Sequence, residues 1–130
     1  MSLNDPATVA DEYSSERGLL GRRDAYRYAE GPDAPSLAVE AVLEVQPRRV
    51  LEVGCGPGEA SERIAASGAE VIAVDISARM VELSRARGVA ARVGDVQELP
   101  FEDASFDCAL AAWMLYHVPD VERAVSELAR

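Results

Sequence analysis

The segment Val50-Leu51-Glu52-Val53-Gly54-Cys55-Gly56-Pro57-Gly58-Glu59 constrains this chain more than any other. A β-branched run that passes straight into three alternating glycines reads as a buried strand followed by a turn of bare main chain. A ligand can lie on such a backbone at the strand's carboxyl end, which makes this a nucleotide-type site. In a dinucleotide fold the third small residue stands three places after the second glycine, where helix and strand pack closely. Counting from Gly54 and Gly56 puts Glu59 there, bulky and of the wrong charge for a pyrophosphate at a helix N-terminus. Counting from Gly56 and Gly58 puts Ser61 there, which is tolerable, but Glu59 and Glu62 still crowd the phosphates. NAD is therefore disfavoured, though not excluded. The phosphate loop of nucleoside triphosphatases ends in Gly-Lys-Ser/Thr, and this chain contains no lysine.

At 130 residues the chain is one domain, and 48% hydrophobic with 28% charged residues is the balance of a folded, soluble protein. Its 13 basic residues, all arginine, face 23 acids for a net charge of -10, a balance that excludes general phosphate-backbone binding, so no nucleic acid partner is expected. The longest uncharged stretch, Cys108 to Pro119, is too short to span a membrane. Asp5, Asp11 and Glu12 stand where a signal peptide would need an apolar core, so the expected location is cytoplasmic, with no membrane partner. Cys55, Cys108 and the lone His117 have no metal-ligand spacing, and no metal is implied.

Gly31-Pro32-Asp33-Ala34-Pro35 divides the chain into an N-terminal helical segment, residues 1-33, and a more regular remainder, residues 34-130. In the first part a helix starts at Asn4 or Asp5 with Pro6 and stops at Gly18, and a second spans Leu19 to Ala29. Leu37, Ala38, Ala41, Val42 and Val45 then form the apolar stripe of an amphipathic helix that Pro47 ends. Beyond it, strands at Val50 to Val53, Val71 to Val74, Val89 to Val93 and Phe106 to Ala112 alternate with helical stretches. Those helices cover Glu59 to Ser67, Ser77 to Arg87 and the residues after Asp120, where Val121, Ala124, Val125 and Leu128 share a face. Trp113, Met114 and Leu115 continue the fourth apolar run and are expected to pack. Strands separated by helices of this length make right-handed βαβ units, so the fold class is α/β with a parallel sheet.

A ligand with a ribose and a positive charge but no phosphate suits an acidic glycine loop. Asp75 ends the second strand, where a carboxylate can accept both hydroxyls of a ribose. Asp95 follows the third strand, placed to accept from an exocyclic amine. Four motifs then occur in order. They are Glu52-x-Gly54-x-Gly56-x-Gly58, Val74-Asp75-Ile76-Ser77, Gly94-Asp95-Val96-x-x-Leu99-Pro100-Phe101, and Phe106-Asp107 through Tyr116-His117-Val118-Pro119-Asp120. Together they resemble the class I S-adenosylmethionine-dependent methyltransferases, in the small-molecule branch of the methyltransferase type 11 domain, over about Pro47 to Arg130.

The resemblance implies a Rossmann-like open parallel sheet of order 3-2-1-4 with flanking helices, and S-adenosyl-L-methionine as cofactor. It implies that Gly54, Cys55, Gly56 and Gly58 let the methionine and ribose approach the backbone, with Glu52 orienting the loop and the cofactor's ammonium. Asp75 would bind the ribose diol, Ile76 and Met80 would line the adenine face, and Asp95 with the Val96 amide would meet the adenine edge. Main chain at Ala111 and Ala112 would pass near the sulfonium. His117 is the candidate general base and Tyr116 a candidate substrate-site residue, while Tyr13 and Arg17 would close over the site as a lid. The implied reaction is direct displacement onto a small-molecule methyl acceptor, in which the protein supplies orientation and excludes water.

Members of that family continue past the last helix with a further strand, a helix and an antiparallel strand pair. This chain stops at Arg130, so the resemblance implies a C-terminally truncated member. The fourth strand would become an open edge, inviting a partner or a homo-oligomer. In parallel pairing of the first and fourth strands, Cys55 and Cys108 fall about five residues or roughly 16 Å apart, too far for a disulfide. Two further readings stay open: a non-catalytic cofactor-binding or interaction remnant, and an NAD-dependent oxidoreductase.

Overall fold

The structure is a computed structural model that describes residues 2–26 and 30–130. Its core is a parallel sheet of β1 (Arg49–Val53), β2 (Glu70–Asp75), β3 (Ala90–Val93) and β4 (Cys108–Ala111), in the order β3-β2-β1-β4. Helices α4 (Glu59–Ala65) and α5 (Ala78–Ala86) connect successive strands, and α6 (Val121–Ala129) follows β4. Three helices precede the sheet: α1 (Pro6–Glu12), α2 (Arg17–Tyr26) and α3 (Ala34–Glu44).

Alternation along β1 divides the core between the two faces. Val50 packs with Val39 and Val42 of α3, Ile64 of α4 and Val71 of β2. Leu51 and Val53 point the other way, into Val74, Val96, Leu99, Val118 and Ala124 of α6. The β1–β4 register is pinned by Asp107, whose carboxylate accepts the Arg48 and Arg49 N–H groups at 2.9 and 3.0 Å. Those bonds hold the Asp107 carboxyl below its ordinary pKa. They also set Val50 opposite Cys108, so Cys55 lies beyond the end of β1 and both thiols are free. Among the described residues β4 pairs with β1 alone, and a recess of about 340 Å³ runs along its first half and the end of α6.

Local expectations fail where a helix carries more apolar residues than one face needs. In α3 Val42 of the expected stripe is buried and Ala38 half-buried, but Val39 and Leu43 join Val42 on the inward side while Leu37, Ala41 and Val45 face out. Both patterns have helical spacing and share Val42, and the sheet takes Val39 where the expected stripe offered Leu37 and Val45. Leu37 and Val45 are left in water. In α6 only Ala124 and Leu128 turn inward, while Val121 and Val125 are exposed. α1 stops at Glu12, well before Gly18, which instead lies inside α2. There a Cβ on Gly18 would meet Glu12 at 3.0 Å, so the glycine serves the crossing of the two helices. α2 begins at Arg17, and the expected end at Ala29 lies outside the described residues. Trp113 does not pack: the chain turns at it with φ 55, and a 3-10 turn at Leu115–His117 follows. Met114 and Leu115 do pack against the α6 side of the core. No helix among the described residues is long and apolar enough to cross a membrane.

Candidate functional site

The carboxyl ends of the four strands carry the site, as expected at the crevice of an open α/β sheet. Gly54, Gly56 and Gly58 all adopt positive φ, at 69, 54 and 87. Each of the outer two is required by a neighbour. A Cβ on Gly54 would lie 2.7 Å from Met114, and one on Gly58 would lie 2.7 Å from Ser84 Oγ and 3.0 Å from its Cα. Gly56 differs, because a Cβ there would meet nothing within 4 Å. Its main chain is therefore the open floor of the turn. The two kinds of glycine should separate in experiment. Gly58→Ala is expected to cost about 2–5 kcal/mol, the left-handed penalty plus overpacking, and Gly56→Ala about 1–2 kcal/mol from the backbone alone. Thermal denaturation of the two variants reads the difference, and equal costs would contradict the packing described.

Asp75, at the end of β2, ties the turn to the sheet. Its Oδ2 accepts the Gly56 N–H and its Oδ1 the Ser77 N–H, each at 2.9 Å. A carboxylate has about four acceptor positions, so roughly two remain for a ligand. Burial raises the Asp75 pKa, against the lowering effect of those amides and of nearby His117. One strand over, Glu52 lies on the α4 face of β1, only 5% exposed, and accepts a hydrogen bond from Ser61 Oγ. Burial lifts its carboxyl to about 7, and the charge on Asp75 adds to the rise. Two acids with raised pKa at one strand-end cleft are the electrostatic signature of a ligand site.

The remaining expected residues divide. Ile76 stands at the mouth, 57% exposed. Met80 does not, because the first turn of α5 buries it completely and leaves no surface for a ligand. Cys55 is also buried, its Sγ 3.4 Å from Ser84 Oγ and its thiol pushed up to about 12, so it stays protonated. Asp95 folds over its own turn, accepting from the Gln97 N–H at 2.9 Å and from Gln97 Nε2. Val96 turns its side chain into the core. Ala111 and Ala112 are half-buried at the end of β4.

His117 is joined to the N-terminal segment through both ring nitrogens. Nδ1 lies 2.8 Å from the Leu3 carbonyl, which only accepts, so Nδ1 donates there, and Nε2 lies 2.8 Å from the Tyr13 hydroxyl. Tyr116 leans on the same imidazole, ring centroids 4.4 Å apart. At its other end Tyr13 accepts a hydrogen bond from Ser77 Oγ through its carbonyl, at 2.9 Å. Glu16 pairs with Arg79 at 2.7 Å, and Arg23 pairs with Glu59. The segment thus lies across the strand ends, joined to the loops after β2 and β4. Ser61, Ser77 and Ser84 hold this arrangement together; the capping role of Ser77 is marked in the sequence, but no local motif marks the bonds of Ser61 and Ser84 or the reach of Ser77 to Tyr13.

Comparison with known proteins places this geometry. Residues 51–130 match the methyltransferase domain family. A ubiquinone biosynthesis O-methyltransferase from Xanthomonas oryzae pv. oryzae is 37% identical over 117 residues, 78% of this chain and 49% of the relative. A demethylmenaquinone methyltransferase from Renibacterium salmoninarum is 36% identical over 124 residues, 94% of this chain and 50% of the relative. Among solved structures, a SAM-dependent methyltransferase of Thermotoga maritima, described as a possible histamine N-methyltransferase, is 31% identical with a TM-score of 0.66. That match covers 92% of this chain and 55% of the other. The chain spans about half the length of the curated relatives it matches.

Proposed function

Because this chain belongs to the methyltransferase domain family, we propose that it binds S-adenosyl-L-methionine over its glycine turn and directs methyl transfer to a small-molecule acceptor. The observation that carries the reading is the open floor at Gly56 bonded to Asp75, a bare backbone beside a carboxylate with acceptor positions to spare. Asp75 holds the ribose diol, and Glu52 faces the cofactor's positive end from beneath the turn. Ile76 covers one adenine face, Asp95 and the Val96 amide take its edge, and Ala111 and Ala112 border the sulfonium. When bound, the cofactor supplies a methyl group activated on sulfur. The protein's share is orientation and exclusion of water, and the N-terminal segment, residues 1-33, serves the second as a lid. When Tyr13 moves aside, His117 Nε2 takes the proton that the acceptor sheds, with Tyr116 beside it.

A dinucleotide fits less well. The first turn of α4 carries Glu59 and Glu62, and Glu59 is already paired with Arg23 and Arg87. A pyrophosphate there would meet carboxylates. Calorimetric titration with S-adenosylhomocysteine and, in parallel, NADH tests the reading. Saturable binding of the first alone is expected, whereas binding of NADH alone would overturn it.

A further inference from the structure

Gly56 forms the floor of the turn, yet no side chain packs around it to fix its shape. A glycine in open space has the widest choice of backbone angles, so its φ of 54 is held by hydrogen bonds. Three of them bracket it. The Gly58 N–H donates to the Cys55 carbonyl at 3.1 Å and closes the turn. The Gly56 N–H donates to Asp75 Oδ2 at 2.9 Å. On the other side of the Gly56 Cα, Ser84 Oγ donates to the Gly56 carbonyl at 2.8 Å.

Ser84 stands in the last turn of α5 with no exposed surface at all. Its own carbonyl accepts the Arg87 and Val89 N–H groups at 3.0 and 3.1 Å, which anchors its backbone between α5 and β3. The absence of a side chain at Gly58 lets its hydroxyl come close enough to reach Gly56. The other donor beside that carbonyl is Cys55 Sγ at 3.5 Å, and a thiol donates weakly. Alanine is the better helix former, and a buried hydroxyl is unfavourable unless it bonds. A serine at this place is therefore explained by the bond it makes to the floor.

We infer that Ser84 is a positioning residue for the cofactor: from beneath the turn it holds the Gly56–Pro57 peptide in the shape on which S-adenosyl-L-methionine lies. The inference rests on the cofactor lying over the Gly56 turn. Asp75 and Ser84 between them fix both peptides that flank the Gly56 Cα. Without the hydroxyl the carbonyl lacks its strong donor, and the peptide gains by rotating toward water. Pro57 keeps its own φ nearly constant, so that rotation carries Gly58 along and loosens the bond to Cys55. A ligand that needs the original shape then binds only the fraction of molecules that retain it, and its affinity falls by that fraction.

In Ser84→Ala, calorimetry is expected to show S-adenosylhomocysteine binding about tenfold weaker, as for a competent fraction near one tenth. Lost stability alone does not produce this. Val39→Ala, a cavity variant in the core under α3, should lower Tm and still bind like the parent. Amide hydrogen exchange, read without ligand, locates the effect. The Gly58 N–H in Ser84→Ala is expected to exchange about tenfold faster relative to the amides of β2, which report opening of the whole sheet. A Gly58 amide that speeds up no more than those of β2 overturns the inference, as does unchanged affinity in Ser84→Ala. Ser84→Cys, with a weakly donating thiol in the same place, is read by the same two measurements if the alanine variant does not fold. Failure of S-adenosylhomocysteine to bind the parent overturns the cofactor assignment alone, and the exchange of Gly58 then decides whether Ser84 holds the turn.

Discussion

Asp75→Ala is expected to weaken S-adenosylhomocysteine binding by at least about 100-fold, the effect of losing two hydrogen bonds to a charged acceptor. The same carboxylate accepts the Gly56 and Ser77 N–H groups, so the variant loses the tether between turn and strand as well as the ribose contact. Asp75→Asn separates the two contributions. Its amide oxygen replaces one acceptor while its NH₂ opposes the other backbone donor, and a loss intermediate between parent and alanine is expected. Burial raises the Asp75 pKa, so affinity in the parent should fall on acidification earlier than a surface aspartate would allow. Calorimetry on folded variants, checked by thermal denaturation, decides. Affinity within about threefold of the parent in Asp75→Ala, less than 1 kcal/mol, would remove Asp75 from the site.

The βαβ succession and the position of the glycine turn were legible because they depend on local signals that agree, whereas the strand order followed from the family resemblance. β-branched runs of four or five residues, glycines at their ends and Ser77 or Asp120 as helix caps all specify the same βαβ succession. The face of a helix is less legible where apolar residues exceed the need. α3 offers two overlapping stripes that share Val42, and only the sheet, by accepting Val39, chooses between them. Met80 shows a related limit. It sits five residues past the end of β2 in sequence, yet the first turn of α5 rotates it inward and leaves Ile76 at the mouth.

Contacts made across the chain were not legible. Tyr13 reaches Ser77 and His117, which stand 64 and 104 positions away. No spacing rule connects them, and the pairing exists only because β2 and β4 end on the same side of the sheet, next to the N-terminal segment. Trp113 was read as the tail of an apolar strand because hydrophobicity suggests burial, whereas its backbone turns left-handed and leaves the ring in water. Failures of local rules at such places are the ones to expect where a fold serves a ligand.

Glu52→Gln is expected to make the protein more stable at pH 8 and to weaken its hold on a cationic ligand. The folded protein keeps the Glu52 proton up to about 7, against 4.5 for the ordinary group. Between those values the folded state binds more protons than the unfolded chain, so stability falls as pH rises through the window and is lowest above it. The full difference corresponds to about 3 kcal/mol, and roughly 10–12 °C in Tm for a domain of this size. Glutamine does not titrate and can keep the bond from Ser61 Oγ, so the variant should gain most of that amount at pH 8 and almost nothing near pH 4.5. Thermal unfolding at both values measures it. A Glu52→Gln variant with the parent's pH slope, or a lower Tm at pH 8, would show that Glu52 is not a buried acid held under strain. The expected gain has a functional meaning, since a fold that retains a destabilising carboxylate beneath its glycine turn keeps it for a positive partner. Binding of that partner would restore the charge to Glu52, and between about pH 6 and 7 the binding should release a proton.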